Sequence, residues 1–469
     1  MSELHDPVPT REKVLVVGAG PAGLAAAAAL QALEVPFDLV DSARDVGGIW
    51  NEQREDSPVW PAMEMISSRT FTQYEDMLQP VSFPEFLRPA QMAKYLRAYA
   101  ARHRLTNHFR PGVSVRSAQP FDEGVWQIEL STGEIGIYRA VIAAHGTSNQ
   151  PHLPAWADDI PASVRSLHAS AWEGSDGLEG QRVLVVGSGQ SAADIAVDAA
   201  RRALEVRWSV RTGHWVVPRR IGGVPGDVAA AREPKVLGAL NAKIADAVIS
   251  RTAGDPAAVG LPAPTLPVTE DQVIISDTLL DRVADGRVTP VQDVQSVEAD
   301  GTVRFVDGSF YRPDLIVLAT GYELGADYLA EDAVPLTAGG APDLFLGAFP
   351  RSRNDLVILG QVTVTGGILP VLVEQADIAA YLMRAVIDGS EHVAEFERVR
   401  SGSDASVDAL APQQHASGLR GRLEALLSSA APAPKRLPAS ARAQDPGTVP
   451  FADRDELLGR LRSVRRIFA

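Results

Sequence analysis

The stretches VLVVGAGPAG at residues 14–23 and VLVVGSGQSA at 183–192 are near copies, each an apolar run of four residues leading straight into a glycine-spaced turn. Such a run predicts a strand buried on both faces, and the alanine-rich sequence after each turn predicts a helix. In a strand–turn–helix unit of this kind, Gly18 or Gly187 makes the tight turn and Gly20 or Gly189 lets the backbone approach a pyrophosphate. The third position, Gly23 or Ala192, must be small where helix meets strand. The pyrophosphate then rests on the positive N-terminus of the helix. Pro21 and Ala22 complete the first turn, and Ser188, Gln190 and Ser191 the second. Two such turns predict two dinucleotides, and so an α/β chain with two Rossmann-like dinucleotide-binding domains of the three-layer ββα type.

The residue closing each unit's second strand says which dinucleotide is held. PFDLVD ends at Asp41, about 20 residues beyond Gly18, where an acid bonds ribose hydroxyls, as suits FAD or NAD. VRWSVR ends at the matching place with Arg211. A guanidinium pairs a 2′-phosphate through two parallel hydrogen bonds, and a carboxylate would repel it, so NADPH is favoured over NADH. Arg219 and Arg220 follow closely and could share that phosphate.

A chain of 469 residues has room for two or three domains, and its 45% hydrophobic content supports large cores. The net charge of −15 disfavours nucleic acid and anionic membrane as partners. The opening MSELHDPVPTRE lacks the apolar core of a secretion signal, and no run of 18 apolar residues follows, so a cytoplasmic location is expected. The absence of cysteine excludes disulfides, thiolate metal sites and a redox-active dithiol. No metal site is expected.

A second repeat supports the first. WQIEL (126–130), a turn and a short strand lead to AVIAAHG (140–146), while TVRFV, the Asp307-Gly308 turn and SFY lead to LIVLATG (315–321). Between them, Met92, Tyr95, Leu96 and Tyr99 fall on one face of a predicted helix within 91–103. Residues 225–270 read as a helical insertion in the second unit. The boundaries expected are a FAD-binding domain at 1–160, an NADPH-binding domain inserted at 161–320, the rest of the FAD domain at 321–390, and an arm with a terminal helix at 391–469. The arm is expected to wrap the domain or to support a homodimer.

Further motifs, in order and spacing over roughly 12–385, resemble the flavin-containing monooxygenase family, class B flavoprotein monooxygenases that include the Baeyer–Villiger enzymes. Gly47-Gly48-Ile49-Trp50 matches the family's GGxW segment beside the flavin, with Trp50 a flat apolar wall. AHG (144–146) and ATGY (319–322) are similar to its interdomain ATG segments, RTGHWVVPRR (211–220) to the stretch after its NADPH arginine, and GGILPVLVEQA (366–376) to the segment whose helix faces the isoalloxazine edge. The resemblance implies cofactor contacts also at Val115, Gly321, Gln361 and Leu369, and a substrate pocket near Ile66 and Tyr74.

Two departures stand out. In ASVRSLHASAW (162–172), Ala162 and Val164 replace the family's Phe and Gly, while His168 and Trp172 remain. In ISSRTFTQYED (66–76), Ile66 stands where N- and S-oxygenating members carry an Asn, and isoleucine makes no hydrogen bond. His168 is a candidate for influence on catalysis or for ordering the linker, and Arg69 for the cation that oxygen insertion beside a ketone needs. The resemblance implies NADPH-dependent oxygenation of a small molecule by dioxygen through a flavin hydroperoxide, most readily at nucleophilic nitrogen or sulfur. Baeyer–Villiger oxygenation, uncoupled NADPH oxidation with flavin reductase activity, and a non-catalytic FAD-containing redox sensor remain as alternatives.

Overall fold

The computed structural model describes residues 10–54, 57–121, 124–231, 251–268, 271–323, 325–337, 342–364, 366–402 and 451–468. The first nine residues, much of the expected insertion and most of the expected arm lie outside the described residues.

The first repeat forms β1 (Val14–Val17), α1 (Pro21–Ala32) and β2 (Phe37–Asp41). Helix α2 (Pro89–Arg102) leads to β3 (Phe109–Pro111), and an antiparallel meander of β4 (Val115–Phe121), β5 (Val125–Leu130) and β6 (Ile135–Tyr138) leads to β7 (Ala140–Ala143). The second repeat begins after β8 (Arg165–His168) and comprises β9 (Arg182–Val186), α3 (Gln190–Ala199) and β10 (Glu205–Ser209). A short helix α4 (Gly226–Ala231) and helix α5 (Leu279–Ala284) precede β11 (Thr289–Val291). A second meander, β12 (Val294–Val297), β13 (Val303–Phe305) and β14 (Phe310–Tyr311), leads to β15 (Leu315–Leu318).

The chain then returns through β16 (Leu356–Ile358) to the first sheet, whose order among the described residues is β16-β7-β1-β2-β3, all parallel. The second sheet runs β11-β10-β9-β15-β8, also parallel. Each central strand, β1 and β9, is buried on both faces, which explains why its sequence is continuously apolar rather than alternating. Met92, Tyr95, Leu96 and Tyr99 of α2 are all buried, as their helical spacing requires.

After β17 (Thr363–Val364) come α6 (Leu369–Asp388), α7 (His392–Ser401), β18 (Phe451–Ala452) and α8 (Arg454–Arg465). Strand β18 pairs in parallel with β17, and α8 packs along α6. Leu457, Leu458, Leu461 and Val464 of α8 are buried in the first core. Each contributes roughly 1.5–3 kcal/mol by burial. Glu374, buried in α6, accepts from Arg462 at 2.7 Å and pairs with Arg465 at 3.0 Å. The arginines are partly solvated, so packing outweighs the ion pairs in seating the helix. The described ends of the arm therefore belong to the chain's own core. Among the described residues no helix is long and apolar enough to cross a membrane.

Candidate functional site

Both glycine turns have the same shape for the same reason. Gly18 (φ +103°) and Gly187 (φ +140°) occupy backbone conformations that side chains avoid, and a Cβ on either would lie 2.4 Å from the Ala144 carbonyl or 2.2 Å from that of Ala319. Those carbonyls belong to the strand exits after β7 and β15, so each turn is pinned beneath the linker that leaves its sheet.

At the first turn, α1 starts at Pro21 with Gly20 as N-cap and no side chain capping it, so nothing from a side chain covers its positive end. Ala22 is partly buried, and the turn at Gly48–Trp50 crosses directly over Gly20, since a Cβ on Gly48 would come 2.8 Å from the Gly20 Cα. Trp50 packs against the first core. Asp41 is 7% exposed, and its two oxygens accept the N–H groups of Ala19 (2.6 Å) and Ala43 (2.8 Å). A carboxylate has about four lone-pair sites, so these bonds aim it while leaving capacity for hydroxyl donors. Val115 opens β4 beside it, where the Val113 N–H donates to the Asp41 carbonyl. Along the same carboxyl edge of the sheet, Gln361 is buried with its Nε2 lacking any partner, and Leu369 begins α6, which also has no side-chain cap. An orphaned buried donor costs about 1–3 kcal/mol, so Gln361 has capacity for an acceptor that the polypeptide does not supply.

At the second turn, the Ser188 hydroxyl accepts the N–H groups of Arg211 (3.0 Å) and Thr212 (3.1 Å), holding Arg211 against the turn with its side chain exposed. The Gln190 side chain exchanges two bonds with the Ile275 backbone, and Trp208 Nε1 donates to the Gly187 carbonyl. Gly189 and Ser191 are exposed, and a Cβ on Gly189 meets nothing within 4 Å. The flank of this turn is open, as a pyrophosphate requires.

The two interdomain crossings clasp each other. The Gly321 carbonyl accepts the His152 N–H at 3.0 Å and the His168 Nε2–H at 3.0 Å, while His168 Nδ1 accepts the Ser170 N–H at 3.2 Å. Both ring nitrogens of His168 are thus engaged and burial lowers its pKa, so the neutral ring ties the linker before β9 to the crossing after β15. His145 lies beneath the first turn against the Tyr328 hydroxyl, and burial lowers its pKa to about 4. Trp172 is buried and donates to Asp198 of α3 at 3.1 Å, anchoring the linker's far end.

Several expectations change. Tyr74 is a fully buried core residue, not a pocket wall: it stacks on Tyr99 with ring centroids 3.8 Å apart, and its hydroxyl donates to the Pro21 carbonyl. The Arg69 guanidinium donates to the carbonyls of Pro80, Val81 and Phe83 and so ties a loop. Arg219 pairs with Glu64 at 2.5 Å and Arg220 with Glu85 at 2.5 Å, which directs both across to the first domain and not toward a phosphate beside Arg211. Ile66 is 37% exposed, next to buried Ser67 and Ser68, and the Ser68 N–H donates to Asp227 of α4 at 2.7 Å. Sequence reasoning missed Asp227 and Arg454. Arg454 of α8 lies 3.9 Å over the Phe71 ring, beside Gly366.

Asp194, in the first turns of α3, has its pKa raised to about 6, chiefly by burial, against lowering by the Gln190 hydrogen bond and Arg219. An acid raised in the folded state favours folding most below its unfolded pKa, near 4, and that advantage disappears as pH rises through 6. Asp194→Asn keeps the acceptor for Gln190 and removes the charge. Melting curves should show the variant more stable than the parent by about 3 kcal/mol at pH 8, with the gap closing below pH 4. A gap that does not change with pH would sink the assignment.

The profile of the family described as FMO-like, flavin-binding monooxygenase-like, matches residues 11–401. The chain is 28% identical to indole-3-pyruvate monooxygenase YUCCA1 of Oryza sativa subsp. japonica, over 74% of this chain and 86% of that protein. It is 27% identical to dimethylaniline monooxygenase (N-oxide-forming) 2 of Rattus norvegicus, over 80% and 74%. Its fold is similar to that of the closed crystal structure of cyclohexanone monooxygenase, with TM-score 0.66, 17% identity, and coverage of 98% and 97%.

Proposed function

The chain belongs to the flavin-binding monooxygenase-like family, and from that premise we propose that it uses FAD at the first turn and NADPH at the second to oxygenate a small molecule at nucleophilic nitrogen or sulfur. The observation that carries the reading is one turn geometry built twice with opposite charge at the reading position, Asp41 in the first unit and Arg211 in the second.

In this reading the first-turn N–H groups of α1 hold the FAD pyrophosphate, Asp41 bonds its ribose, and Gly48, Trp50, Val115, Gln361 and Leu369 line the rest of its path. Gly187 to Ser191 hold the NADPH pyrophosphate, and Arg211 takes the 2′-phosphate. A flavin held there would supply the redox chemistry between NADPH and dioxygen. The polypeptide's task is to position the two ligands and exclude water. The clasp at Gly321 and His168 sets the spacing of the two domains, and the Arg219–Glu64 and Arg220–Glu85 pairs close the seam between them. With His145 and His168 both kept neutral by burial, this task needs no titrating histidine near neutral pH.

A second reading, oxygen insertion beside a ketone, is favoured by one observation: a buried guanidinium, that of Arg454, stands beside the flavin-side turn at Gly366. The deciding measurement is NADPH consumption by the flavin-loaded protein against amines, sulfides and ketones, with oxygenated product and hydrogen peroxide counted separately. Peroxide equal to NADPH with every substrate would overturn both readings in favour of an oxidase.

Ile66 offers no hydrogen bond where the resemblance implies an amide, and it is 37% exposed. Ile66→Asn should therefore raise the product formed per NADPH severalfold and lower peroxide correspondingly. An unchanged product-to-peroxide ratio would show that position 66 does not control coupling.

A further inference from the structure

Gln361 Nε2, which follows β16, and Arg454 Nη1, beside Gly366, are buried donors without a hydrogen-bond partner. Arg454 is 6% exposed, although it comes from the far C-terminal end of the chain. Pairing of β18 with β17 delivers it there. Its guanidinium lies over the Phe71 ring, and a Cβ on Gly366 would come 2.8 Å from Nη1, so the glycine makes its room. Its ion pair is with Asp455 at 3.3 Å. The carboxylate of Asp227, across Gly366, is occupied by the N–H groups of Ser68 and Val228. A buried, weakly compensated cation is costly to keep.

The sheet order says what lies near it. Asp41 ends β2 on one side of β1, so a dinucleotide whose ribose meets Asp41 and whose pyrophosphate meets α1 must continue on the other side, toward β7 and β16. β16 is two strands from β1, roughly 10 Å at the usual strand spacing. After β16 the chain passes through β17 to Gly366, Gly367 and the start of α6, so the redox-active ring is directed to that uncapped helix start and to Arg454.

We propose that Arg454 is an electrostatic residue of the flavin site, which stabilises the negative charge of the reduced flavin together with the positive end of α6. This rests on reading the first turn as the FAD site. The balance is simple: a hydride from NADPH carries two electrons and one proton to the oxidised ring, leaving NADP⁺ and a reduced ring with one negative charge. No further proton is required if a fixed cation offsets that charge.

The test is the midpoint potential of the flavin-loaded protein, read by equilibration with a reference dye and an external reductant, and therefore independent of NADPH. Arg454→Gln should lower the reduced-to-oxidised ratio at fixed poise about tenfold, about 30 mV for a two-electron couple. Arg454→Lys should recover most of it. Asp455→Asn removes the partner charge and should move the ratio the opposite way, which keeps the test decisive if Arg454→Gln fails to fold. An unshifted potential in Arg454→Gln, equal losses in the Gln and Lys variants, or no upward shift in Asp455→Asn overturns the proposal. Purified protein that binds no flavin at all would instead refute the reading of the first turn.

Discussion

Gly23→Ala should yield a protein that has lost its flavin and melts early, whereas Gly189→Ala should keep both its fold and its flavin but bind NADPH poorly. The added methyl meets different atoms in the two turns. On Gly23 it would sit 1.7 Å from the Gly18 carbonyl oxygen and 2.9 Å from its carbon, so helix α1 must move away from the turn. Forcing volume into packed structure costs typically 1–3 kcal/mol, and this contact is far inside any tolerated distance. Displacing α1 also displaces the N–H groups proposed to hold the pyrophosphate, so flavin affinity should fall by about two orders of magnitude. On Gly189 the methyl meets no protein atom within 4 Å, so the fold has no reason to suffer. Any loss there is a clash with the ligand itself. Flavin absorbance per protein, melting temperature and the KM for NADPH separate the two. A Gly189→Ala enzyme with an unaltered KM would remove the pyrophosphate from that turn.

What could be read from the chain, and what could not, follows the range of the interactions. Gly18, Gly23 and Gly187 are dictated by contacts to a strand, a helix and one neighbouring linker, and the pattern that encodes them spans ten residues. The parallel strands were legible because burial on both faces leaves an uninterrupted apolar run. Tyr74 was misplaced because a tyrosine near a predicted pocket has the same sequence appearance whether it faces the ligand or stacks on Tyr99, and only the packing of α2 decides. Arg219 and Arg220 follow Arg211 closely in sequence, yet the strand at Arg220–Ile221 turns them toward Glu64 and Glu85. Arg454 reaches Gly366 through a strand pairing between distant segments, and no local pattern announces it. The available hint was the Gly366-Gly367 doublet. Gly367 has the Phe71 carbonyl where its Cβ would be, and Gly366 has Arg454. Two adjacent glycines with no room for side chains signal that other chain segments press on that turn.

Arg211→Ala should raise the KM for NADPH between about tenfold and a hundredfold, while leaving kcat and the KM for NADH nearly unchanged. The lower figure corresponds to one charge-assisted hydrogen bond of roughly 1.5 kcal/mol and the upper to a bidentate pair near 3 kcal/mol. The backbone supports the prediction: the Ser188 hydroxyl fixes the Arg211 N–H at the second turn, so the side chain starts from a held point at the end of β10. Removing the guanidinium leaves that hydrogen bond intact, and the turn should keep its shape. Arg219 and Arg220 do not stand ready to replace it, because both are drawn to carboxylates of the first domain. Arg211→Glu should go further and reverse the preference, since a carboxylate repels a phosphate and accepts from ribose hydroxyls. Equal rises of KM for NADPH and NADH in Arg211→Ala would show that the residue supports the turn and does not read the phosphate. The second unit would then be a dinucleotide site in which Arg211 is not the 2′-phosphate reader.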